Sequence, residues 1–201
     1  MATIALARPT ESPVHLALSD LYRMNVHEYE RIVAAGALDD DRLELIDGYM
    51  VKKMPKNPPH SWTTREILDS FTGILPPGWV WRHEQPVRIP DFDEPEPDFA
   101  VVRGSKADYK HRTPVPIDVA LLVEVSETTL VRDRGEKLLA YAQAGIAVYW
   151  IVNLVDRQVE VYTGPGPTGY RTREDFHAGQ AVPVVIDSHE VGRIAVADIL
   201  P

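Results

Sequence analysis

The chain has 201 residues, 44% of them apolar, which is enough for one sizeable core without requiring a second. It contains no cysteine, which excludes disulfides and thiolate metal sites; a metal would need carboxylate, imidazole or carbonyl ligands, a set suited to magnesium or manganese. The formal net charge of −9 argues against tight non-specific adhesion to nucleic acid, although it is compatible with a local basic groove.

The opening MATIALARPTESP has a short apolar run with no basic residue before it, and does not read as a secretory signal. No stretch approaches the roughly 20 apolar residues of a membrane span. The expectation is a soluble, cytoplasmic protein with no membrane partner. Residues 1–20, rich in Pro, Ser and Thr, read as a flexible arm, and 21–201 as a single domain.

NVHEYERIVAAG predicts a short amphipathic helix capped by Asn25, with Val26, Tyr29, Ile32 and Val33 apolar and a stop at Gly36. RLELIDGYMVKKM alternates on either side of Asp47-Gly48, a dipeptide that supplies positive φ to a hairpin turn. PPHSWTTREILDSFTGIL predicts a second helix with Trp62, Ile67, Leu68 and Phe71 inward. WVWRHEQPVRI reads as a strand that Pro86 makes irregular or places near an edge.

The acidic PDFDEPEPD follows. Its Asp91, Asp93, Glu94 and Glu96 lack calcium-loop spacing and read as a solvated turn. FAVVR is a short strand, residues 104–117 are a polar loop, and DVALLVEVS is the strongest strand signal in the chain. VRDRGEKLLAYAQAG predicts a helix ending at Gly145, and AVYWIVN and RQVEVYT predict two further strands, with Trp150 in the core. GPGPTGY leads into a β-rich tail. The fold class is therefore α/β, a mixed sheet covered by helices.

Alternation in the strongest strand puts Leu121, Val123 and Val125 on one face, and Leu122, Glu124 and Ser126 on the other. A glutamate on such a strand must lose water, so it shifts its pKa, finds a cation or lies where the sheet opens. Asp98 stands at the edge of FAVVR. If the two strands pair, two carboxylates meet at one end of the sheet, and a divalent cation would relieve their repulsion. Lys137 follows in the next helix. Five helical residues return it roughly 7.5 Å along the sheet, and Glu124 lies roughly 6.6 Å back from Ser126. The two distances match closely enough for the ammonium to reach the acids.

The ordered set LELIDGYMV, PPH, EPEPDFAVV, LLVEVSETT and DRGEKLLAYAQAGIAVYWIVN resembles the bacterial Uma-two family of proposed endonucleases, within the PD-(D/E)XK nuclease superfamily. The resemblance covers residues 25–170 and implies a restriction-endonuclease-like core, a central mixed sheet flanked by helices. It implies magnesium or manganese held by Asp98 and Glu124, with Glu44 joining the cluster and His60 near it. The lysine that usually follows the second acid by two positions is Ser126 here, and Lys137 on the next helix is the matching residue. Asp98, Glu124, Lys137 and Glu44 are thus the candidate catalytic set, and Asp98, Glu124, Glu44 and the Val125 carbonyl the candidate metal ligands. His60 and Ser126 are accessory. The implied activity is metal-dependent hydrolysis of DNA phosphodiester bonds, with a homodimer as one arrangement for cutting two strands.

Structural roles stand beside these. Asp98 also suits a strand start, Lys137 a helical pair with Asp133, Glu44 a surface salt bridge and His60 a helix cap. Arg103, Lys106, Lys110 and Arg112 form a basic loop suited either to tracking a nucleic-acid backbone or to simple solvation. Two alternatives to a nuclease remain, a catalytically silent module that binds a protein or nucleic-acid partner, and hydrolysis of another phosphate ester.

Overall fold

The structure, a computed structural model, describes residues 20–38 and 42–201. All of the expected flexible arm except Asp20 lies outside the described residues.

The first helix, α1 (Val26–Ala34), is set by reciprocal capping: Glu28 N–H donates to the Asn25 side chain and Asn25 N–H to the Glu28 carboxylate, both at 3.0 Å. Its inward face is narrower than the sequence predicts. Val26 and Tyr29 pack on Leu45, whereas Val33 is 49% exposed, because the helix covers only this small cluster. The strands β1 (Leu43–Ile46) and β2 (Tyr49–Lys52) form the expected hairpin. Asp47 and Gly48 turn it with φ of 49° and 79°. A Cβ on Gly48 would stand 2.9 Å from that of Arg23, so this position requires glycine.

Asn57 caps α2 (Pro58–Thr72) by accepting the His60 N–H at 3.0 Å, and Pro58 occupies the first helical position. Thr63, Thr64, Ile67 and Phe71 form its buried stripe. Trp62, expected inward, is 42% exposed. Five residues separate it from Ile67, roughly 140° around the helix, which takes it off that stripe.

Six strands make the central sheet: β3 (Trp79–His83), β4 (Phe99–Arg103), β5 (Val119–Ser126), β6 (Val148–Asn153), β7 (Gln158–Gly166) and β8 (Gly169–His177), neighbours in that order. β3 is an edge, as Pro86 predicts. Every pairing is antiparallel except β5 with β6. A parallel pair needs a crossover, and one continuous helical run supplies it: α3 (Leu130–Arg132), a π turn (Asp133–Lys137) and α4 (Leu138–Gln143). The hairpin of β9 (Ala181–Ile186) and β10 (His189–Ala195) and the short α5 (Val196–Ile199) complete the fold.

The sheet separates two apolar layers. Leu121, Val123 and Val125 pack with Ile67, Phe71 and Trp150 on one side, and Leu122 packs with Tyr141, Tyr149 and Ile151 on the other. The acidic connection is not the solvated turn the sequence suggests. Asp93 Oδ1 accepts the Asp47 N–H at 2.6 Å, Glu96 meets Lys53 at 2.6 Å, and buried Glu94 bridges Leu45 through its backbone. It straps the small hairpin to the body of the fold. No helix among the described residues is long and apolar enough to cross a membrane.

Candidate active site

Register brings the acids together. Phe99 pairs with Val123 in the antiparallel β4–β5 ladder, so Asp98, one residue before β4, stands beside Glu124. The Val125 N–H donates to Asp98 Oδ2 at 2.8 Å and fixes that carboxylate to the strand end. Both acids are buried, Asp98 at 7% exposure and Glu124 at 4%.

The helical crossover supplies the cation. Lys137 Nζ lies 2.9 Å from Glu124 Oε1 and 3.1 Å from Glu44 Oε2, so it lies on the face of the sheet that carries Glu124 and joins β5 to the small hairpin. The π turn places Asp133 and Lys137 inward together. Asp133 Oδ2 accepts from Ser126 Oγ and Thr129 Oγ1, both at 2.6 Å. Ser126 thus acts as a donor that holds Asp133. Tyr141, one turn beyond Lys137, donates its hydroxyl to Glu124 Oε1 at 2.8 Å.

Asp98 has polar partners of its own. Lys56 Nζ stands 2.7 Å from Oδ1, and His60 Nε2 is 3.1 Å from Oδ2. His60 therefore reaches the site from the first turn of α2 while its N–H serves the cap. Glu44 is 1% exposed and also accepts the Glu96 N–H at 3.1 Å, with Arg132 at 3.7 Å.

These contacts set the charge states. Burial pushes Glu124 upward, and repulsion from Asp133, Asp98 and Glu44 adds to it; together they outweigh Lys137 and raise the carboxyl to about 8. Burial also acts upward on Asp98, but His60 and Lys56 overcome it and hold the group well below the ordinary carboxylate range. Burial would lower Lys137, yet Glu124, Glu44 and Asp133 raise it above the normal lysine value. It is a firmly held ammonium group.

Glu44, Lys56, His60, Asp98, Glu124, Asp133 and Lys137 line one cleft of about 370 Å³. Among the described residues, seven acidic side chains and five Lys or Arg side chains line it. Among the described residues, no three acid or histidine side chains converge into an all-protein metal cage. Magnesium does not need one, since it keeps several waters and uses one or two carboxylates together with substrate phosphates. The hard oxygen donors therefore fit a divalent ion.

Sequence reasoning missed Lys56, Asp133 and Tyr141. The last two were recoverable, because Asp133, Lys137 and Tyr141 recur every fourth residue along one helix. Lys56 carries no periodic signal in an irregular segment. The basic loop does not line the cleft. β4 runs from Phe99 beside the cleft to Arg103 at its far end, roughly 13 Å away at about 3.3 Å per residue. Arg103 pairs there with Asp187 at 2.9 Å and Arg112 with Asp118 at 2.6 Å; neither they, Lys106 nor Lys110 lines the cleft.

The sequence matches a family model, Uma2, described as "Putative restriction endonuclease", over residues 26–190. No curated protein matches it. Among solved structures it is similar to a putative nuclease belonging to DUF820 from Anabaena variabilis ATCC 29413. The TM-score is 0.64 at 16% identity, over 88% of this chain and 97% of that one, a likeness of fold.

Proposed function

The chain belongs to the Uma2 family of restriction-endonuclease-like proteins, and on that premise we propose that its cleft is the active site of a metal-dependent nuclease cleaving DNA phosphodiester bonds. One observation carries the reading: Asp98, one residue before β4, and Glu124 on neighbouring β5 share a cleft with buried Glu44 and Lys137.

Asp98, Glu124 and Glu44 would hold magnesium or manganese, with the Val125 carbonyl as a further oxygen. Such an ion, when bound, supplies Lewis-acid polarisation of the phosphate and a more acidic water. The chain's own groups do the rest. Lys137, held protonated between two carboxylates, cannot take a proton from water, so its role is to orient Glu124 and Glu44 and to place positive charge behind them. Lys56, with 31% of its side chain exposed, is the ammonium free to turn from Asp98 toward a phosphate oxygen. His60 keeps Asp98 ionised and oriented. Cutting both strands of a duplex would call for a two-fold dimer.

The test is cleavage of plasmid DNA with magnesium by wild type, Asp98→Ala and Lys137→Ala. Cleavage by wild type alone supports the assignment, and equal cleavage by all three refutes it. A second reading, a catalytically silent binding module, draws support from the pairing of Asp98 and Glu124 with lysines already in the fold. Calorimetry with manganese separates the two. Binding that Asp98→Ala abolishes favours the enzyme, and no binding at millimolar metal favours the module.

A further inference from the structure

Beside the cleft, a groove of about 390 Å³ follows the edge strand β3 and the turn after β4, lined by Trp81, Arg82, His83, Gln85, Lys106 and Tyr109. It contains no carboxylate. This is unusual in a chain of net charge −9, where surface cations mostly meet acids: Arg88 lies on Glu30, Arg103 on Asp187, Arg112 on Asp118 and Arg193 on Glu190. The groove cations instead meet aromatic rings. Lys106 Nζ sits 4.7 Å above Trp81, and the Arg82 guanidinium 5.2 Å from the centre of Tyr109.

Arg82 is the informative residue. Its Nε is shut off from solvent and has no hydrogen-bond acceptor, so a charged donor is held in place without the partner its chemistry calls for. An arginine keeps its charge under such burial.

A chain of ion pairs links the groove to the cleft. His83 Nε2 lies 2.6 Å from Glu84 Oε1, Glu84 takes Lys56 at 2.9 Å, and Lys56 reaches Asp98 at 2.7 Å. Along β3 the His83 end is the one nearest Asp98, since His83 pairs with Phe99. From Trp81 to His83 the strand advances roughly 6.6 Å, about two nucleotides of duplex rise at roughly 3.4 Å each.

We propose that this groove binds the phosphodiester backbone of a nucleic-acid strand beside the bond placed in the cleft, with Arg82 and Lys106 each meeting a phosphate. The inference rests on the nuclease reading for its orientation, but its binding chemistry is independent of cleavage. It recognises backbone and not base sequence, because its donors are cations and its rings are already covered by them.

The test is fluorescence anisotropy of a dye-labelled 20-base-pair duplex, its single strand and the matching RNA, in EDTA, from 50 to 200 mM salt. Arg82→Gln and Lys106→Gln should each weaken binding roughly three- to tenfold at low salt and flatten the salt dependence by about one unit of slope. Arg82→Lys should restore most of it, and Arg193→Gln should change nothing. Thermal melting checks that each variant is folded, and Lys106, on the surface, carries the test if Arg82→Gln is not. Wild-type affinity unmoved by either charge removal, or no salt-dependent binding to any of the three probes, overturns the proposal. Loss of binding in the variants without cleavage by wild type leaves the groove standing and removes the nuclease. Cleavage and binding unaffected by Arg82→Gln and Lys106→Gln do the reverse.

Discussion

Lys137 Nζ lies 2.9 Å from Glu124 Oε1, a residue thirteen positions earlier, and both side chains are buried on the same side of the sheet. Removing the ammonium group leaves Glu124 and Glu44 buried without it. Lys137→Met should therefore cost about 3–5 kcal/mol of stability. Adding Glu124→Gln should recover part of the loss. Urea unfolding of the two single variants and the double reads both, and a Lys137→Met protein as stable as wild type would contradict the pairing.

Asp98→Asn keeps an oxygen for the Val125 N–H but removes the charge facing Lys56 and His60. Lys56 is partly exposed and can return to water, but the ionised form these contacts favour is lost, so stability should fall by about 1–3 kcal/mol. Magnesium-dependent nicking of a plasmid should fall by about a hundredfold or more. Nicking at the wild-type rate would remove Asp98 from the mechanism.

Glu94 gives a pH prediction away from the cleft. Burial raises its carboxyl to about 7, and its Oε2 has no hydrogen-bond partner. A folded-state value above the ordinary 4.5 means that the folded form binds the proton more tightly. Stability is then full below pH 4.5 and declines as pH rises through about 7. With allowance for partial solvent contact, the effect is on the order of 1–2 kcal/mol. Denaturation midpoints at pH 4.5 and pH 8 check it: Glu94→Gln should match wild type at the lower pH and exceed it at the higher.

Phe71 ties the second helix to the sheet. It is fully buried, 4.5 Å from Phe99 and 5.8 Å from Trp150 between ring centres. Phe71→Ala should cost about 3–5 kcal/mol, read as a shift in the unfolding midpoint. A shift under 1 kcal/mol would mean that the layer between α2 and the sheet closes over the cavity.

Most elements were legible in the sequence because their signals are local. Asn25 and Glu28 cap α1 three residues apart, Asp47-Gly48 turns its own hairpin, and the alternation that puts Glu124 on the face opposite Val123 needs only the strand itself. The errors fall where a face depends on a distant partner. Val33 fits an apolar stripe by spacing but finds nothing to cover it, and the acidic connection is held in place by Asp47 and Lys53, more than 40 residues away.

The sequence alone determined which residues had to be compensated: a glutamate on an apolar strand and an aspartate at the start of another cannot be buried unpaired, whatever the fold. The spacing of strand and helix also brought Lys137 within reach of the acids, but only the tertiary structure decided the remaining partners, Tyr141 for Glu124, and Lys56 and His60 for Asp98. The reason is physical: the penalty for burying a charge belongs to one position, whereas the Coulomb attraction that offsets it depends on distances set by strand register and helix crossover, which no local pattern encodes.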